Sequence, residues 1–157
     1  MNIVKDSRYG PFIFPNKDKY IGKSFDLYGE FSYHEVSFLK SLIEPGNVVI
    51  DCGANIGGIT IPLAQKIGAG GYMVAFEPQQ YIYHILCGNV AINNLTNTAV
   101  FQRLASNVDG EVRGMPVLNY EAEGNFGDNS TDKVQEDMLC IPVATCTIDN
   151  PNLSALH

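Results

Sequence analysis

Four residues in one short stretch have the types and spacing of a ligand-binding turn. Asp51, Gly53, Asn55 and Gly57 alternate within seven positions, directly after the apolar run Val48–Ile50. Glycine lets the backbone bend and come close to a ligand, and asparagine tolerates a positive φ. A helix that begins after such a turn presents free N–H groups. The stretch therefore predicts a ligand site at a strand end; a tight strand-to-helix turn without a ligand is the alternative.

A second acid belongs to the same prediction. Glu77 lies 20 residues after Gly57, at the end of the apolar run "YMVAF", and is followed by Pro78. An acid at this point of an α/β unit accepts the ribose hydroxyls of an adenosine, and the small Ala54 keeps the first turn narrow. An exposed acid at a strand end, or a helix cap, is the alternative for Glu77.

The acid at position 51 discriminates between adenosine ligands. The pyrophosphate of NAD or FAD is bound by a GxGxxG turn, whereas Asn55 stands here at the middle glycine and Asp51 precedes the turn. A carboxylate suits a positively charged ligand such as S-adenosylmethionine, although it could also be satisfied by backbone donors. The residues favour S-adenosylmethionine over the alternative of an NAD(P)-dependent oxidoreductase half-domain.

The surrounding elements have the order of a nucleotide-binding half-domain. Three apolar runs predict parallel strands buried on both faces, with helical spacing between them. The predicted elements are strands at 48–50, 72–76 and 99–105 and helices at 59–67 and 82–90. Right-handed crossovers would bring the ends of the first two strands to one edge of the sheet.

The flanking segments are predicted more simply. Residues 1–31 form an N-terminal extension with a short hairpin or irregular structure, and Ser32 and Glu35 suggest a capping box for a helix that begins at Tyr33. Strands at 111–118 and 138–148 would form an antiparallel pair. Between them, the acidic, Asn- and Gly-rich loop 119–137 is expected to be flexible or to fold over a ligand.

Composition limits the possible partners. The 157 residues are one domain's worth of chain, with a net charge of −7 and scattered Lys and Arg, so no nucleic-acid partner is expected. No signal peptide and no membrane span is seen, which makes a cytoplasmic location the expectation. Neither the cysteine nor the histidine spacing suggests a metal site or a disulfide framework.

Longer stretches of the chain resemble the FkbM-type S-adenosylmethionine-dependent methyltransferases. The matching segments are "YGEFSYHE" at 28–35, "VVIDCGANIGGITIPLA" at 48–64, "VAFEPQ" at 74–79, "LCGNVAINNLTN" at 86–97, "VLNY" at 117–120, "NFG" at 125–127 and "TID" at 147–149. The resemblance covers nearly the whole chain. It implies an α/β, Rossmann-like class I methyltransferase fold and S-adenosylmethionine as cofactor.

The resemblance also implies roles for individual residues. Asp51, Gly53, Ala54, Asn55 and Gly57 would line the methionine and ribose side, with Glu77 and Pro78 at the ribose hydroxyls. Ala105 and Ser106 match the region near adenine. Glu30 would reach the cofactor from the N-terminal cover or be a surface acid, and Asn125 and Phe126 would close over the site or form an ordinary loop.

The implied reaction is O-methyl transfer to a hydroxyl of a small molecule or glycan. No catalytic base is assigned, because His34 and His84 have the character of packing or surface residues and His157 is terminal. Family members continue past the position of Leu156 into a fourth strand with a "KIDVEG"-like motif. Residues 1–157 are therefore expected to form a single but incomplete cofactor-binding domain, truncated after about the third parallel strand and a β-hairpin. A non-catalytic cofactor-binding or interaction module is the alternative, and an open sheet edge would favour a homo-oligomer.

Overall fold

A computed structural model describes residues 1–149, apart from the side chain of Lys133. The elements are, in chain order, β1 (Asn2–Ser7), β2 (Gly10–Pro15), α1 (Ile21–Tyr28), α2 (Tyr33–Leu42), β3 (Val48–Cys52), α3 (Thr60–Ile67), β4 (Tyr72–Phe76), α4 (Gln80–Ile92), β5 (Thr98–Phe101), β6 (Leu104–Ala105), β7 (Val112–Pro116), a 3-10 turn (Thr131–Lys133) and β8 (Cys140–Cys146). The predictions that concern Leu156 and His157 lie outside the described residues.

A parallel sheet of β3, β4 and β5 carries the predicted site. Its strand order is β3-β4-β5, with α3 and α4 as the connections between successive strands. The register places Asp51 beside Ala75, and Cys52 beside Phe76. This arrangement confirms the predicted βαβαβ unit and the Rossmann-like α/β fold. Both site-bearing strands end at the same edge of the sheet.

The prediction that the first strand is buried on both faces is wrong. Val48 and Ile50 are 57% and 40% exposed, whereas Val49 packs with the buried residues of α3 and β4. In the described sheet β3 is an edge strand that pairs with β4 alone. Helix α3 covers the face of β3 that carries Val49, whereas the opposite face, with Val48 and Ile50, is largely open. The central strand β4 is buried from Met73 to Phe76 because Met73 packs against α3 on one face, and Val74 and Phe76 pack with Cys146 of β8 on the other.

The predicted third strand, 99–105, is two strands in two different sheets. β5 ends at Phe101, and the backbone N–H of Arg103 donates to the carbonyl of Phe101 at 3.0 Å. That tight turn redirects the chain, so β6 pairs in parallel with β8 instead of extending β5. The antiparallel pairing of β7 with β8 confirms the predicted second hairpin.

The N-terminal residues form a hairpin and a helix that pack on the parallel sheet's helices. β1 and β2 pair in antiparallel fashion, and the rings of Phe12 and Phe25 stack with centroids 4.2 Å apart. α2 begins at Tyr33 as predicted, but the capping box is wrong. Ser32 has a φ of 52°, and its hydroxyl donates to the Glu35 carboxylate at 2.6 Å instead of accepting from that residue's N–H.

The loop between β7 and β8 lies against the N-terminal cover. The N–H of Lys19 donates to the carbonyl of Gly124 at 2.9 Å, and the N–H of Gly124 donates to the carbonyl of Lys17 at 3.1 Å. Phe126 is 2% exposed and packs edge-on against Tyr120. The loop is therefore anchored at its centre, while its flexibility stays a prediction.

Residues 1–149 contain no candidate membrane span and no candidate metal cluster. Within this range no helix is long and apolar enough to cross a membrane. No group of three or more His, Cys, Asp and Glu side chains in the same range is placed to hold a metal ion.

Candidate functional site

The glycine turn is tied directly to the end of the neighbouring strand. The N–H groups of Gly53 and Ala54 both donate to the carbonyl of Phe76, each at 2.9 Å. Gly53, Asn55 and Gly57 have φ angles of 85°, 50° and 94°, all in the left-handed region. The predicted need for residues that tolerate positive φ is thus a property of the turn.

The two glycines of the turn have different surroundings. A Cβ built on Gly53 meets nothing within 4 Å, so this part of the turn faces open space. A Cβ on Gly57 would lie 2.9 Å from Leu86 Cδ1 and 3.2 Å from Ile61 Cγ1. Gly53 is therefore available to a ligand, whereas Gly57 permits close packing of the turn on α4.

The carboxylate of Glu77 joins the turn to the start of α4. Its Oε2 accepts from the N–H of Asn55 at 2.9 Å, and its Oε1 accepts from the N–H of Gln79 at 2.8 Å. Glu77 is 3% exposed. Burial raises the pKa of Glu77 to about 7, although the two backbone donors act in the opposite direction. This acid is the most strongly desolvated group of the candidate site.

Asp51 is held by the first residue of α3. The hydroxyl of the buried Thr60 donates to Oδ2 of Asp51 at 2.6 Å. Burial raises the pKa of Asp51, and the Thr60 hydrogen bond opposes that shift. Among the described residues Asp51 has no ion-pair partner, and it lines a cavity at the turn. The carboxylate is thus oriented by one oxygen and free to bind a cationic group with the other.

The cavity at the turn is small and has an apolar cover. Its volume is about 100 Å³. The base of the cavity is formed by the strand end and the turn, and the cover by residues of α1 and the α1–α2 connection. The lining residues are Asp51, Gly53, Ala54, Asn55, Gly58 and Ile59 from the base and Ile21 and Phe31 from the cover.

Several predicted site residues lie outside this cavity. Glu77 reaches it indirectly, through the hydrogen bond to Asn55, and Pro78 follows Glu77. Glu30 forms an ion pair with Arg8, and the neighbouring Phe31 lines the cavity instead.

The adenine-side residues and the loop residues are also set apart from the cavity. Ala105 and Ser106 lie at the β6–β8 pair, where the N–H of Ser106 donates to Cys146 at 2.9 Å. Phe126 contacts the site region through its carbonyl, which accepts from Gln79 Nε2 at 2.9 Å. Asn125 Oδ1 accepts from the N–H of Gly127 at 3.2 Å.

Sequence reasoning missed the residues that support the two acids. Thr60 stands nine positions after Asp51 in the first turn of a predicted helix, which is a usable signal for a hydroxyl that faces back toward the strand end. Gln79 accepts from Tyr120 Oη and from Asn129 Nδ2, each at 3.2 Å. These contacts join segments 40 to 50 residues apart, which no local pattern indicates.

A second cavity lies beside this Gln79 network. Its volume is about 240 Å³, and it lies between the start of α4, β7 and the Tyr120 ring. His84 and Met115 are among the residues that line it. It adjoins the Glu77 region through Gln79, whose backbone N–H holds Glu77.

Comparisons with known proteins identify a curated relative that acts on tRNA by its name. A tRNA(Phe) (4-demethylwyosine(37)-C(7)) aminocarboxypropyltransferase from Methanocaldococcus jannaschii is 42% identical over 87 residues, which are 55% of this chain and 34% of that protein. The chain thus spans about a third of the length of this relative.

Solved structures that resemble the chain are methyltransferases. An S-adenosylmethionine-dependent O-methyltransferase from Thermotoga maritima matches with a TM-score of 0.46 and 18% identity, over 69% of this chain and 44% of that chain. An S-adenosylmethionine-dependent methyltransferase from Aquifex aeolicus matches with a TM-score of 0.43 and 20% identity, over 60% and 47% of the two chains.

The family assignment comes from a family model. The model of the methyltransferase FkbM domain matches residues 51–155, from the acid at the end of β3 onward. That range is more than half of the 157 residues. The chain therefore belongs to the methyltransferase FkbM domain family.

Proposed function

We propose that this chain forms the cofactor-binding part of an S-adenosylmethionine-dependent methyltransferase that acts on a hydroxyl of a small molecule or glycan. One observation carries the proposal: Glu77 bonds to the backbone of the turn whose other end holds Asp51 beside an open glycine. Two carboxylates of different environment are thereby fixed at one strand edge, where α/β proteins bind nucleosides.

The two carboxylates and the glycine of the turn fit the ribose and methionine parts of S-adenosylmethionine. An ionised carboxylate offers about four lone-pair sites. Backbone N–H groups use two of those on Glu77, so two remain to accept ribose hydroxyls. The free oxygen of Asp51 suits the ammonium group, and Gly53 leaves room for the ligand to approach the backbone.

The adenine ring needs space beyond the cavity at the turn. The cavity has about 100 Å³, less than the ~300 Å³ at the lower end of small-ligand sites. We assign adenine to the far side of Glu77, toward Pro78, Ala105 and Ser106. Glu30, held by Arg8, would act on the cofactor only after a rearrangement of that ion pair.

The residues around the site would position the reactants and exclude water. The bound cofactor supplies an activated methyl group on its sulfonium. Thr60 orients Asp51, and Ile21 and Phe31 cover the cavity with apolar surface, which strengthens the attraction between Asp51 and a cation. Methyl transfer then depends mainly on the alignment of the acceptor oxygen with the methyl group.

Calorimetric titration tests the proposal. The purified chain is titrated with S-adenosylmethionine and separately with NAD, and the first titration is repeated with Asp51→Asn, Glu77→Gln and Glu44→Gln. Saturable binding of S-adenosylmethionine, lost in the first two variants and kept in the third, is expected, because Glu44 is an exposed acid away from the turn. Binding of NAD alone, or of neither ligand by folded protein, would contradict the proposal.

A nucleic-acid acceptor is the second candidate, because the relative from Methanocaldococcus jannaschii is named for tRNA(Phe). The net charge of −7 argues against a polyanionic acceptor such as tRNA. Fluorescence anisotropy with labelled tRNA at low and moderate salt separates the two candidates. We expect no saturable tRNA binding; tight, salt-dependent binding would favour the second candidate.

Catalysis, location and assembly are further parts of the proposal. A non-catalytic cofactor-binding module would bind S-adenosylmethionine without turnover. An assay of methyl transfer to a panel of glycans therefore distinguishes such a module from an active methyltransferase. We expect a cytoplasmic protein and self-association through the open edge of β3, where Val48 and Ile50 are exposed. Light scattering checks the self-association: the Ile50→Lys variant should form a smaller particle than the unmodified chain.

A further inference from the structure

A large groove lies on the N-terminal cover, apart from the cavity at the turn. It has a volume of about 650 Å³, within the range of roughly 300–1,000 Å³ that small-ligand sites occupy. Its walls come from the β1–β2 hairpin, the segment that leads into α1, the first turns of α1 and Glu123 of the loop between β7 and β8. None of the residues that line the cavity at the turn lines this groove.

Two lysines of the groove have unused charges. Lys17 and Lys23 both line it, and among the described residues their ammonium groups have no ion-pair or hydrogen-bond partner. Lys17 is half-buried and Lys23 is exposed. The third lysine, Lys19, pairs with Glu123 at 3.3 Å.

Each acid of the groove already has a cationic or backbone partner. Asp26 pairs with Lys5 from outside the groove. Asp18 is 3% exposed, and its two oxygens accept from the N–H groups of Tyr20 and Gly22 at 3.1 and 3.0 Å. The free charges that face a ligand are therefore the two ammonium groups, which call for an anionic group.

The remaining polar and aromatic groups suit a carbohydrate. Tyr20 presents a ring that is 60% exposed, and a flat aromatic surface packs well on the apolar face of a sugar. The Asn16 amide and the rim carboxylates of Asp26 and Glu123 can bond to sugar hydroxyls. Those carboxylates repel a polyanionic backbone, so the groove favours a sugar with one or a few anionic groups over a nucleic acid.

The charge distribution along the chain leads to the same ligand. Residues 1–31 contain five Lys and Arg and four Asp and Glu, a net charge of +1 in a chain of net charge −7. An anion is repelled by most of the surface and attracted to this extension.

The groove adjoins the proposed methyl-transfer site through α1. Gly22 lines the groove, and the preceding residue, Ile21, lines the cavity at the turn. A helix is roughly 10–12 Å across with its side chains, so a ligand longer than one sugar could reach both. The loop between β7 and β8 contacts both sites. Gly124 forms backbone hydrogen bonds with the segment that lines the groove. Three residues later, a Cβ on Gly127 would lie 3.2 Å from Ile21 and 3.5 Å from Asn55, which line the cavity at the turn.

We propose that this groove binds the anionic group of an extended acidic oligosaccharide whose hydroxyl is the methyl acceptor. Lys17 and Lys23 hold the carboxylate, sulfate or phosphate of the sugar, and Tyr20 packs on a neighbouring ring. The assignment of this oligosaccharide as acceptor rests on the proposed function, because it requires methyl transfer at the adjacent turn.

Binding of a defined acidic oligosaccharide tests the groove without the cofactor. Trigalacturonate is titrated into the chain by calorimetry, with maltotriose as the neutral probe and a short oligouridylate as the nucleic-acid probe. The variant is Lys17→Gln/Lys23→Gln, and Lys66→Gln, which removes a lysine on α3 far along the chain, is the control. Circular dichroism verifies folding of each variant.

The expected result is saturable binding of trigalacturonate and none of maltotriose. The double variant binds it about tenfold or more weakly, because both charge-assisted bonds are lost, and Lys66→Gln binds as the unmodified chain does. Unchanged affinity in the folded double variant, no binding of trigalacturonate, or tighter lysine-dependent binding of oligouridylate would each overturn the proposal.

A parallel titration with S-adenosylmethionine separates the two proposals. The lysine variant should bind the cofactor normally, since neither lysine lines the cavity at the turn. If the chain binds trigalacturonate but not the cofactor, the groove stands as a site and the proposed function fails. If it binds the cofactor but not trigalacturonate, the groove proposal alone fails.

Discussion

The carboxylate of Glu77 accepts a hydrogen bond from the backbone N–H of Asn55 at 2.9 Å, across 22 residues of chain. The acid after β4 and the turn after β3 therefore form one rigid unit. Because Glu77 is also 3% exposed, its charge is costly unless a ligand or backbone donors satisfy it. Changes at Glu77 should therefore alter both the stability of the chain and its binding of the cofactor.

The raised pKa of Glu77 predicts that stability falls as the pH rises. Folding raises the pKa of this acid from about 4.5 to about 7, so between these values the folded state binds more protons than the unfolded state. Across this window the free energy of unfolding should fall by up to about 3 kcal/mol from this group. The raised pKa of Asp51 acts in the same direction.

Urea denaturation at pH 5 and pH 7.5 checks this prediction against Glu77→Gln. The glutamine side chain does not titrate, so the free energy of unfolding of this variant should change less with pH. The variant should be less stable at every pH, because its amide cannot accept from both backbone donors. Identical pH slopes for the two proteins would show that the buried acid does not titrate in this range.

Alanine at the two glycines of the turn should separate packing from ligand contact. At Gly57 the new Cβ would lie 2.9 Å from Leu86 Cδ1, in addition to the strain of a φ of 94°, so we expect a stability loss of roughly 2–4 kcal/mol. At Gly53 we expect about 1 kcal/mol from the backbone alone, with weaker cofactor binding.

Gly110→Ala is the matched control for backbone strain. Its φ is 73°, and a Cβ there also meets nothing within 4 Å, so it reports the cost of the left-handed conformation alone. Chemical denaturation of the three variants should rank Gly57→Ala as the least stable. Equal losses at all three positions would contradict the packing role of Gly57.

Removal of the Thr60 hydroxyl should weaken cofactor binding without loss of the fold. Thr60→Val keeps the shape of the side chain and deletes the donor to Asp51, which raises the pKa of Asp51 further and frees its orientation. We expect S-adenosylmethionine affinity to fall about 10-fold to 150-fold, the effect of one hydrogen bond to a charged group. Calorimetry measures the loss, with the exposed Thr96→Val as control. Equal affinity in the two variants would exclude an orienting role for Thr60.

A buried asparagine should prove important for the N-terminal cover. Asn89 is fully buried and bonds to both backbone groups of Ile13 and to the carbonyl of Ile56 at 2.7–2.9 Å. Asn89→Ala leaves these three groups without partners, and we expect a loss of roughly 2–4 kcal/mol. Thermal unfolding measures it beside the exposed Asn107→Ala. A loss no larger than that of the control would contradict this role.

Local patterns were sufficient for the site-bearing unit. The apolar runs before Asp51 and Glu77 predicted two neighbouring parallel strands, and β3 and β4 carry those acids at one edge. Such a prediction succeeds because strand ends and turn chemistry depend on residues close together in the chain.

Features that depend on distant neighbours were not predictable in this way. The exposure of Ile50 depends on which elements pack on the face of β3 opposite the helices, and the break after Phe101 depends on the pairing of β6 with β8. The cover of the cavity by Ile21 and Phe31 likewise arises from tertiary packing. Ser32 shows that even a local motif can fail, because its αL backbone directs the hydroxyl to the Glu35 carboxylate.

The most direct test of the cofactor site is a two-dimensional ¹H–¹⁵N NMR titration of the chain with S-adenosylmethionine. We expect saturable shifts of the backbone amides of Gly53, Asn55 and Gln79, since these lie at the turn or bond to Glu77, and little change at Gly110. Shifts confined to other parts of the chain, or no shifts at saturating ligand, would contradict the assignment of the turn as the methyl-donor site.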